Sequence, residues 1–272
     1  MPEKKSLPEI AIVADRGALA DAAAERFVTL AQEAIVARGR FSVALSGGST
    51  PRDLYARLAA AEFSTQVDWA RVFIFWGDER AVPPDHPESN YRMAYDTLLS
   101  HVNPPTQNVH RVLGEEKPAD AAQAYEETLR EFFATPFPIP PSPPLGFGDL
   151  RPSSEGERVE SPRFDLILLG LGSNGHTASL FPKTAVLHET TRWVAAEYIE
   201  EVKMERITLT APAINAAANI LFLVAGSDKA ATVRAVLHGE YRPDELPAQL
   251  IRPTDGHVAW LLDRDAASQL SP

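Results

Sequence analysis

Residues 164–182, FDLILLGLGSNGHTASLFP, constrain the fold of this chain more than any other stretch. Five of the first six residues are apolar, a pattern typical of a strand buried on both faces of a parallel sheet. A glycine-rich segment and His176 follow, and we expect Thr177 and Ser179 to start a short helix. Open α/β sheets carry their functional residues at the carboxyl ends of the strands. The stretch therefore predicts such a sheet, with a functional site around His176.

Two other interpretations of this stretch stay open. Gly170, Gly172 and Gly175 match G-x-G-x-x-G, the pattern of dinucleotide-binding turns. That pattern requires a long helix after the last glycine, whereas Pro182 follows shortly afterwards and would end it. The histidine is alternatively a buried structural residue, although three glycines at a strand end favour a functional one.

The composition indicates a soluble protein with a large core. Of 272 residues, 44% are hydrophobic and 23% are charged, which suits one large α/β domain or two smaller ones. Cysteine is absent, so disulfides and cysteine-based metal sites or nucleophiles are excluded. The sequence shows neither an apolar run long enough to span a bilayer nor the apolar segment of a signal peptide. We therefore expect a cytoplasmic protein without membrane contact, and the net charge of −11 argues against a nucleic-acid partner.

Strand and helix patterns alternate along the chain. Apolar runs predict strands, and apolar residues at three- and four-residue spacing predict helices. The predicted strands are Ile10–Ala14, Phe41–Leu45, Val72–Trp76, Asn108–Val112, Trp193–Tyr198, Arg206–Thr210, Asn219–Ala225 and His257–Leu262, besides the one that opens residues 164–182. The predicted helices are Gly17–Arg38, one from Pro51 onward, Asn90–Ser100, Pro118–Phe133, Pro212–Ala218 and Asp228–Leu237. The order favours a Rossmann-like open, mostly parallel sheet with helices on both faces.

Residues 134–162 are rich in Pro, Ser and Gly and lack any sustained apolar periodicity. Such a composition is typical of a surface excursion or of a linker between domains. Strand and helix patterns alternate in the same way before and after this segment. We therefore favour an insertion within a single domain that spans residues 1–272.

The segment Ser46–Pro51, SGGSTP, follows the predicted strand Phe41–Leu45. Thr50 is a good helix N-cap, and Pro51 fits the first helical position. Free backbone N–H groups at a helix start, together with nearby hydroxyls, favour an anion and above all a phosphate. The loop lacks the lysine of a Walker loop, and an ordinary strand–helix turn is the alternative interpretation.

Charged residues follow two further strands. Residues 77–80, GDER, come directly after Val72–Trp76 and are either a solvated rim or part of a site. Lys229 falls in the first turn of a predicted helix, where a cation is electrostatically unfavourable. This position suggests that Lys229 meets an incoming anion, although a solvated surface lysine is an equally good interpretation.

Several classes of enzyme lack their signature in this sequence. The seven histidines form no metal-binding spacing such as H-E-x-x-H, and no G-x-S-x-G elbow of a serine hydrolase is present. What remains is one histidine in a glycine-rich turn, several carboxylates and a loop suited to phosphate. That set favours proton transfer on a phosphorylated small molecule, without a cofactor or a metal ion.

Five segments form a series along the chain: SGGSTP at 46–51, FWGDER at 75–80 with ESNYRMA at 88–94, LGLGSNGHTASLFP at 169–182, RITLT at 206–210 and FLVAGSDKA at 222–230. In this order they resemble the 6-phosphogluconolactonase family. The resemblance covers roughly residues 10–262, except for the Pro-rich segment. The family is similar in fold to glucosamine-6-phosphate deaminase, and GHTASLFP and GDER favour the lactonase.

The resemblance implies hydrolysis of 6-phospho-D-glucono-1,5-lactone to 6-phospho-D-gluconate, the second step of the oxidative pentose phosphate pathway. It implies that His176 is the general base that takes a proton from the attacking water and returns it to the leaving ring oxygen. Backbone N–H groups of residues 170–175 would stabilise the oxyanion, and Asp78 and Glu79 would orient sugar hydroxyls or Arg80. The implied contacts to the substrate and its phosphate are Ser46, Gly47, Gly48, Ser49, Thr50, Arg80, Asn90, Gly172, Asn174, Gly175, Arg206 and Lys229.

Asn174 departs from the family's usual Asp-Gly-His, because this chain reads Asn-Gly-His. An amide accepts a hydrogen bond but has no negative charge with which to raise the pKa of His176. Either that carboxylate is dispensable, or Asp78 or Glu79 supplies the charge. Lys183 stands where a glycine is common and would add positive charge at the mouth of the site.

Two other functions stay open beside the lactonase. One is an aminosugar-phosphate isomerase or deaminase, which would release ammonia from glucosamine 6-phosphate. The other is a non-catalytic protein that keeps the phosphate loop and binds sugar phosphates without turnover, and Asn174 is the reason to consider it. We expect a small phosphorylated sugar lactone as the partner, no nucleic acid, and a monomer or weak homo-oligomer.

Overall fold

A computed structural model describes residues 8–135 and 161–270 of the chain. The strands are β1 (Glu9–Val13), β2 (Phe41–Leu45), β3 (Val72–Trp76), β4 (Asp78–Arg80), β5 (Leu166–Leu169), β6 (Val194–Ile199), β7 (Met204–Leu209), β8 (Asn219–Val224) and β9 (His257–Asp263). The α-helices are α1 (Arg16–Arg38), α2 (Ser49–Ala59), α3 (Ala61–Ser64), α4 (Asn90–Ala94), α5 (Ser100–Val102), α6 (Pro118–Ala134), α7 (Ala211–Asn215) and α8 (Ala230–His238). A π-helical turn at Tyr95–Leu99 joins α4 to α5, and 3₁₀ turns lie at Trp69–Arg71, Thr106–Asn108, Ala185–His188, Ser227–Lys229 and Pro247–Leu250.

Within residues 8–135 and 161–270, six parallel strands form the main sheet, in the order β1-β9-β8-β5-β2-β3. Strands β2 and β5 are buried at every residue, so both faces of the centre of the sheet are covered. Their sequences, FSVAL and LILL, are almost continuously apolar, as expected where no face meets water. The predicted Rossmann-like open, mostly parallel sheet is confirmed.

The strand order changes direction between β2 and β5. From β2 the chain continues to β3 on one side, whereas from β5 it continues through β8 to β9 on the other. The loops that follow β2 and β5 therefore diverge and leave a crevice at the carboxyl edge of the sheet. The glycine-rich segments 46–51 and 170–176 are these two loops. The topology thus brings together two motifs that lie far apart in the sequence.

A second, three-stranded antiparallel sheet, β4-β7-β6, does not follow from the sequence patterns. Its short strand β4 consists of three charged residues, so no apolar periodicity marks it. In the register of this sheet, Asp78 lies opposite Thr208 and Arg80 lies opposite Arg206. The GDER segment is therefore not a solvated rim, and the second sheet holds its side chains beside the crevice.

The predicted start of the second helix is wrong by two residues. α2 begins at Ser49 with Gly48 as its N-cap, so Thr50 lies inside the first turn and does not cap the helix. Gly48 adopts a φ of 100°, which is strained for residues with a side chain, and this lets the chain turn into the helix earlier than the Thr-Pro pattern suggests.

Two short elements predicted from local patterns are also wrong. The residues after the histidine form a turn closed by a bridge between Thr177 and Leu180, and not a helix. Ala178 within it has a φ of 47°, outside the right-handed helical region. The predicted strand at 108–112 is reduced to one bridge, between Val109 and Ile74, because a 3₁₀ turn occupies the residues just before it.

Two buried tyrosines fix the ends of neighbouring strands. The hydroxyl of Tyr55, in α2, accepts a hydrogen bond from the N–H of Ser46 at 2.9 Å and donates one to its carbonyl at 2.7 Å. The hydroxyl of Tyr125, in α6, makes the same pair of bonds with Trp76 at 2.8 and 3.0 Å. A phenol hydroxyl both donates and accepts hydrogen bonds. Each tyrosine therefore satisfies the N–H and the carbonyl of a residue at the end of a strand, as a residue of a neighbouring strand would do. The loops after β2 and β3 therefore leave the sheet from fixed points.

The predicted Pro-rich insertion at about 134–162 lies almost entirely outside the described residues, and its place within a single domain stays a prediction. Across the two described ranges, no helix combines the length and apolarity needed to cross a membrane. The same residues contain no group of three or more histidines and carboxylates placed to hold a metal ion.

Candidate active site

A cleft of about 290 Å³ lies where the loops after β2 and β5 diverge. The loop after β8 and the strands β4 and β7 complete its wall. The predicted site residues in this wall are Ser46, Gly47, Gly48, Ser49, Thr50, Asp78, Arg80, Asn90, Gly172, His176, Arg206 and Lys229. Glu79, Asn174 and Gly175 lie close by in the chain but do not line the cleft. The structure therefore gathers most of the predicted residues around one space.

The N-terminus of α2 forms one end of the cleft. Its first residues, Ser49 and Thr50, line the space, and no side chain of the described residues caps this end of the helix. The N–H groups of a first helical turn have no partner within the helix, and they carry the positive end of its dipole. This arrangement suits a phosphate group, as the sequence predicts for the segment 46–50.

Asn90 joins two walls of the cleft. Its Nδ2 donates to the carbonyl oxygen of Asp78 at 2.9 Å and lies 3.4 Å from the carboxylate Oδ1 of the same residue. On the other side its amide packs against Gly47, where an added Cβ would lie 2.0 Å from Oδ1 of Asn90. Gly47 is therefore required by this close approach. The contact fixes the position of the loop after β2 relative to β4.

Glu79 supports the start of α4 and does not face the cleft. Its Oε1 accepts from the N–H groups of Asn90 at 2.7 Å and Arg80 at 2.8 Å. Its Oε2 accepts from the N–H of Tyr91 at 2.8 Å and the hydroxyl of Ser89 at 3.2 Å. Burial raises the pKa of Glu79, and these hydrogen bonds to the ionised form oppose the rise. The carboxylate of Glu79 is therefore bonded around the start of α4, whereas the resemblance implies that it orients sugar hydroxyls or Arg80.

Among the described residues, three cationic side chains line the cleft. Arg206 is 8% exposed, and its Nε and Nη1 find no hydrogen-bond partner among the described residues. Burial and the neighbouring charge of Arg80 lower the pKa of Arg206. Arg80 donates from Nη1 to the carbonyl of Glu88, whereas its buried Nε finds no partner in the described ranges. Lys229 precedes α8 and lies 3.3 Å from Asp228. Buried donors without partners are the groups that a bound anion would satisfy.

The ring of His176 is held between a glycine and an aromatic ring. It stacks on Phe181 with centroids 4.0 Å apart, and it lies so close to Gly172 that an added Cβ there would be 2.1 Å from Nδ1. Its Nδ1 lies 2.6 Å from Oδ1 of Asn174. Burial lowers the pKa of His176 to about 4, so the ring is neutral at pH 7. A neutral imidazole is the form that acts as a general base.

Residues 14–260 match the family described as glucosamine-6-phosphate isomerases/6-phosphogluconolactonase. The chain belongs to this family. It is 36% identical over 266 residues to a 6-phosphogluconolactonase of Synechocystis sp., with 97% of this chain and 99% of that protein covered. The structure of a 6-phosphogluconolactonase from Trypanosoma cruzi has a TM-score of 0.81 at 28% identity, covering 99% of this chain and 100% of that one. A monomeric glucosamine-6-phosphate deaminase shares the fold, with a TM-score of 0.76 at 20% identity over 96% of this chain and 99% of that one. The resemblance predicted from the motifs is confirmed.

In this member of the family, the contacts of Asn174 determine which nitrogen of His176 carries the proton. Nδ2 of Asn174 lies 2.7 Å from a carboxylate oxygen of Glu201, which only accepts hydrogen bonds when ionised. The amide therefore turns its Oδ1 toward His176, where it accepts from the backbone N–H at 3.1 Å and faces Nδ1 at 2.6 Å. This geometry favours the tautomer with the proton on Nδ1, which leaves the lone pair on Nε2.

Several residues of the site were missed by the sequence patterns. Ser179 donates from its hydroxyl to Oδ2 of Asp78 at 2.7 Å and thereby holds that carboxylate at the wall of the cleft. Phe181 supports the histidine ring. Both lie within the segment 169–182, so their position in the motif was a usable signal. Glu201 lies in the turn between β6 and β7, and nothing in its local sequence distinguishes it from its neighbours.

Proposed function

We propose that this protein hydrolyses 6-phospho-D-glucono-1,5-lactone to 6-phospho-D-gluconate, the second step of the oxidative pentose phosphate pathway. The similar proteins from Synechocystis sp. and Trypanosoma cruzi are 6-phosphogluconolactonases, and this similarity supports the proposed substrate. The observation that carries the proposal is that a neutral imidazole and an anion-binding helix terminus line the same cleft. A reacting group and a phosphate site would then share one space of about 290 Å³.

The negative charge of the substrate is matched by the wall of the cleft. The phosphate would lie against the segment 46–50, where the free N–H groups of α2 and the hydroxyls of Ser49 and Thr50 donate hydrogen bonds. Arg80, Arg206 and Lys229 add positive charge to the same space. They make the cleft locally attractive to an anion although the chain as a whole carries −11.

His176 would act first as a base and then as an acid. Its Nε2 takes a proton from a water molecule, whose oxygen attacks the lactone carbonyl carbon and forms a tetrahedral intermediate. The bond from this carbon to the ring oxygen then breaks, and the ring oxygen receives the proton back from His176. The product is a carboxylic acid with a free hydroxyl, and the acid loses its proton to solvent at neutral pH.

The oxyanion of the intermediate needs donors. Backbone N–H groups of the 170–175 turn were the expected donors, but those of Gly172 and Gly175 already bond to carbonyls, at 2.8 and 3.0 Å. The buried guanidinium of Arg206 has donors that no described residue satisfies. We therefore assign Arg206 to the stabilisation of the oxyanion, since such donors act strongly in a site shielded from water.

The proposal is tested with freshly generated 6-phosphogluconolactone, corrected for its spontaneous opening. We expect His176→Gln to lose turnover by at least about 10²-fold while 6-phosphogluconate still binds. His188→Gln is the matched control, because His188 is exposed and lies outside the cleft. Near-normal turnover in His176→Gln would remove this residue from the mechanism.

The same protein preparation separates the alternatives. A deaminase would release ammonia from glucosamine 6-phosphate, which the lactonase would leave intact. A non-catalytic binding protein would bind 6-phosphogluconate tightly and leave the rate of lactone opening unchanged. Either result would overturn the proposed hydrolysis.

A further inference from the structure

Glu201 contacts Asn174 from the turn between β6 and β7, a segment outside the predicted site. It lies at the exposed turn that joins β6 to β7, 27 residues after Asn174, and its Oε2 accepts a hydrogen bond from Nδ2 of Asn174 at 2.7 Å. None of the ion pairs within the described ranges involves Glu201. This carboxylate is therefore directed at the amide beside the histidine and not at a neighbouring cation.

The side-chain amide of Asn174 has a hydrogen-bond donor at one end and an acceptor at the other. Its NH₂ group donates and its oxygen accepts, so rotation by 180° would present donors to His176 in place of an acceptor. In that rotated state Nδ1 would have to accept, and the proton would move to Nε2, the nitrogen that the cleft needs unprotonated. Two contacts oppose the rotation: the backbone N–H of His176 and the carboxylate of Glu201.

Glu201 also contributes negative charge near the ring. The charged groups that act on His176 are Asp78 from β4, Glu201 from the β6–β7 turn, Lys229 before α8 and Arg206 from β7. The two carboxylates favour the protonated ring, and the two cations oppose it. Asp78 is held by Ser179 and Asn90, whereas Glu201 is connected to the ring through one amide.

We propose that Glu201 is a positioning residue for His176, acting through Asn174. The hydrogen-bonded series Glu201–Asn174–His176 fixes the tautomer that leaves Nε2 as the base. Because the amide of Asn174 lies between them, the negative charge of Glu201 is farther from the ring than that of a carboxylate bonded directly to Nδ1 would be. The proposal rests on the proposed hydrolysis for its kinetic consequence, although the geometry itself does not depend on the substrate.

The kinetic test compares variants at one turn. Glu201→Ala should lower kcat/KM by about 3- to 10-fold, mainly through kcat, the range expected for the loss of one hydrogen bond. Glu201→Gln should recover part of this loss, because its carbonyl still accepts from Nδ2. Glu200→Ala removes the neighbouring charge in the same turn and should leave kcat/KM unchanged. Equal values for the variants at 200 and 201 would overturn the proposal.

A double substitution gives a stricter test. In Asn174→Asp the carboxylate accepts directly from Nδ1, and Glu201 becomes a like charge with no donor to accept from. Glu201→Ala should therefore cause no loss in the Asn174→Asp background, or a small gain. The same 3- to 10-fold loss in both backgrounds would show that Glu201 acts independently of Asn174, and this would overturn the proposal.

A measurement without substrate separates this inference from the proposed function. Nitrogen chemical shifts of the ring, assigned by comparison with His176→Gln, report which nitrogen carries the proton. We expect the Nδ1–H tautomer in the wild-type protein and a measurable population of Nε2–H in Glu201→Ala. An unchanged tautomer in Glu201→Ala would overturn the inference even if the lactone is hydrolysed. A protein with the expected tautomers but no hydrolysis would overturn the proposed function alone.

Discussion

Gly172→Ala should displace the ring of His176 without removing any of its chemical groups. A Cβ built on Gly172 lies 2.1 Å from Nδ1, 2.2 Å from Cε1 and 2.8 Å from Cγ of His176. Ordinary contacts between such atoms begin near about 3.5 Å. The ring must therefore move by more than about 1 Å. Phe181 packs against the face of this ring, so the movement also disturbs a close-packed contact.

The displacement determines the size of the effect. A misplacement of about 1 Å in a catalytic group costs on the order of 10²-fold in rate, since the reacting atoms no longer meet at the required distance and angle. We expect kcat to fall by about this factor in Gly172→Ala. The segment 46–50, where we propose that the phosphate binds, belongs to another loop, so the affinity for 6-phosphogluconate should change by less than about 3-fold.

The assay is the rate of lactone hydrolysis, with product affinity measured by calorimetry on the same samples. Gly77→Ala is the matched control, because its Cβ would meet its nearest neighbour, the carbonyl of Leu45, at an ordinary 3.6 Å and Gly77 does not line the cleft. The reasoning is refuted if Gly172→Ala retains more than about a third of the wild-type kcat, or if the control loses as much activity as the test variant.

Three further predictions concern protonation and stability. The value of kcat/KM should be constant around pH 6 to 7 and fall to half near pH 4, because His176 has a pKa of about 4 and only its neutral form accepts a proton. A midpoint near pH 6.5 would contradict the lowering of this pKa by burial. Arg206→Met should raise the free energy of unfolding in urea by about 1 to 2 kcal/mol, since two buried donors without described partners are removed. Because Arg206 is assigned to the oxyanion, the same variant should lose kcat, whereas 6-phosphogluconate should still raise its melting temperature. Tyr55→Phe should lower the free energy of unfolding in urea by about 2 kcal/mol, because it leaves the N–H and the carbonyl of Ser46 without their partner. Tyr241→Phe is the control, because Tyr241 is exposed.

The central strands could be predicted from the sequence because they are buried on both faces. Phe41–Leu45 was placed to the residue, and so was Val72–Trp76 at the edge of the sheet, since each largely apolar run is preceded by an arginine and followed by a serine or a glycine. The loops at their carboxyl ends then had to lie at one edge of the sheet. For this reason the predicted residues of segments 46–50 and 172–176 meet in space, apart from Asn174 and Gly175, which support the wall and do not line it.

The remaining parts depend on contacts that no local pattern encodes. Strand β4 has no apolar residue, and it becomes a strand only because β7 pairs with it. Thr50 and Pro51 form a good local start signal, but the backbone of Gly48 begins the helix earlier. For the same reason, the sequence suggests a site role for Glu79 and none for Glu201. The first has its oxygens bonded around the start of α4, and the second reaches Asn174 from another sheet.

The wall of the cleft is assembled from the ends of β2, β5 and β8 and from strands of the second sheet, so its residues run from Ser46 to Lys229. During synthesis, a ribosome must therefore deliver most of the chain before any substrate can be recognised. A sugar phosphate would consequently protect only the finished protein from a protease and leave shortened chains exposed. The ligand thus reports on completed folding, and added product would distinguish mature molecules from partly folded ones in a mixture.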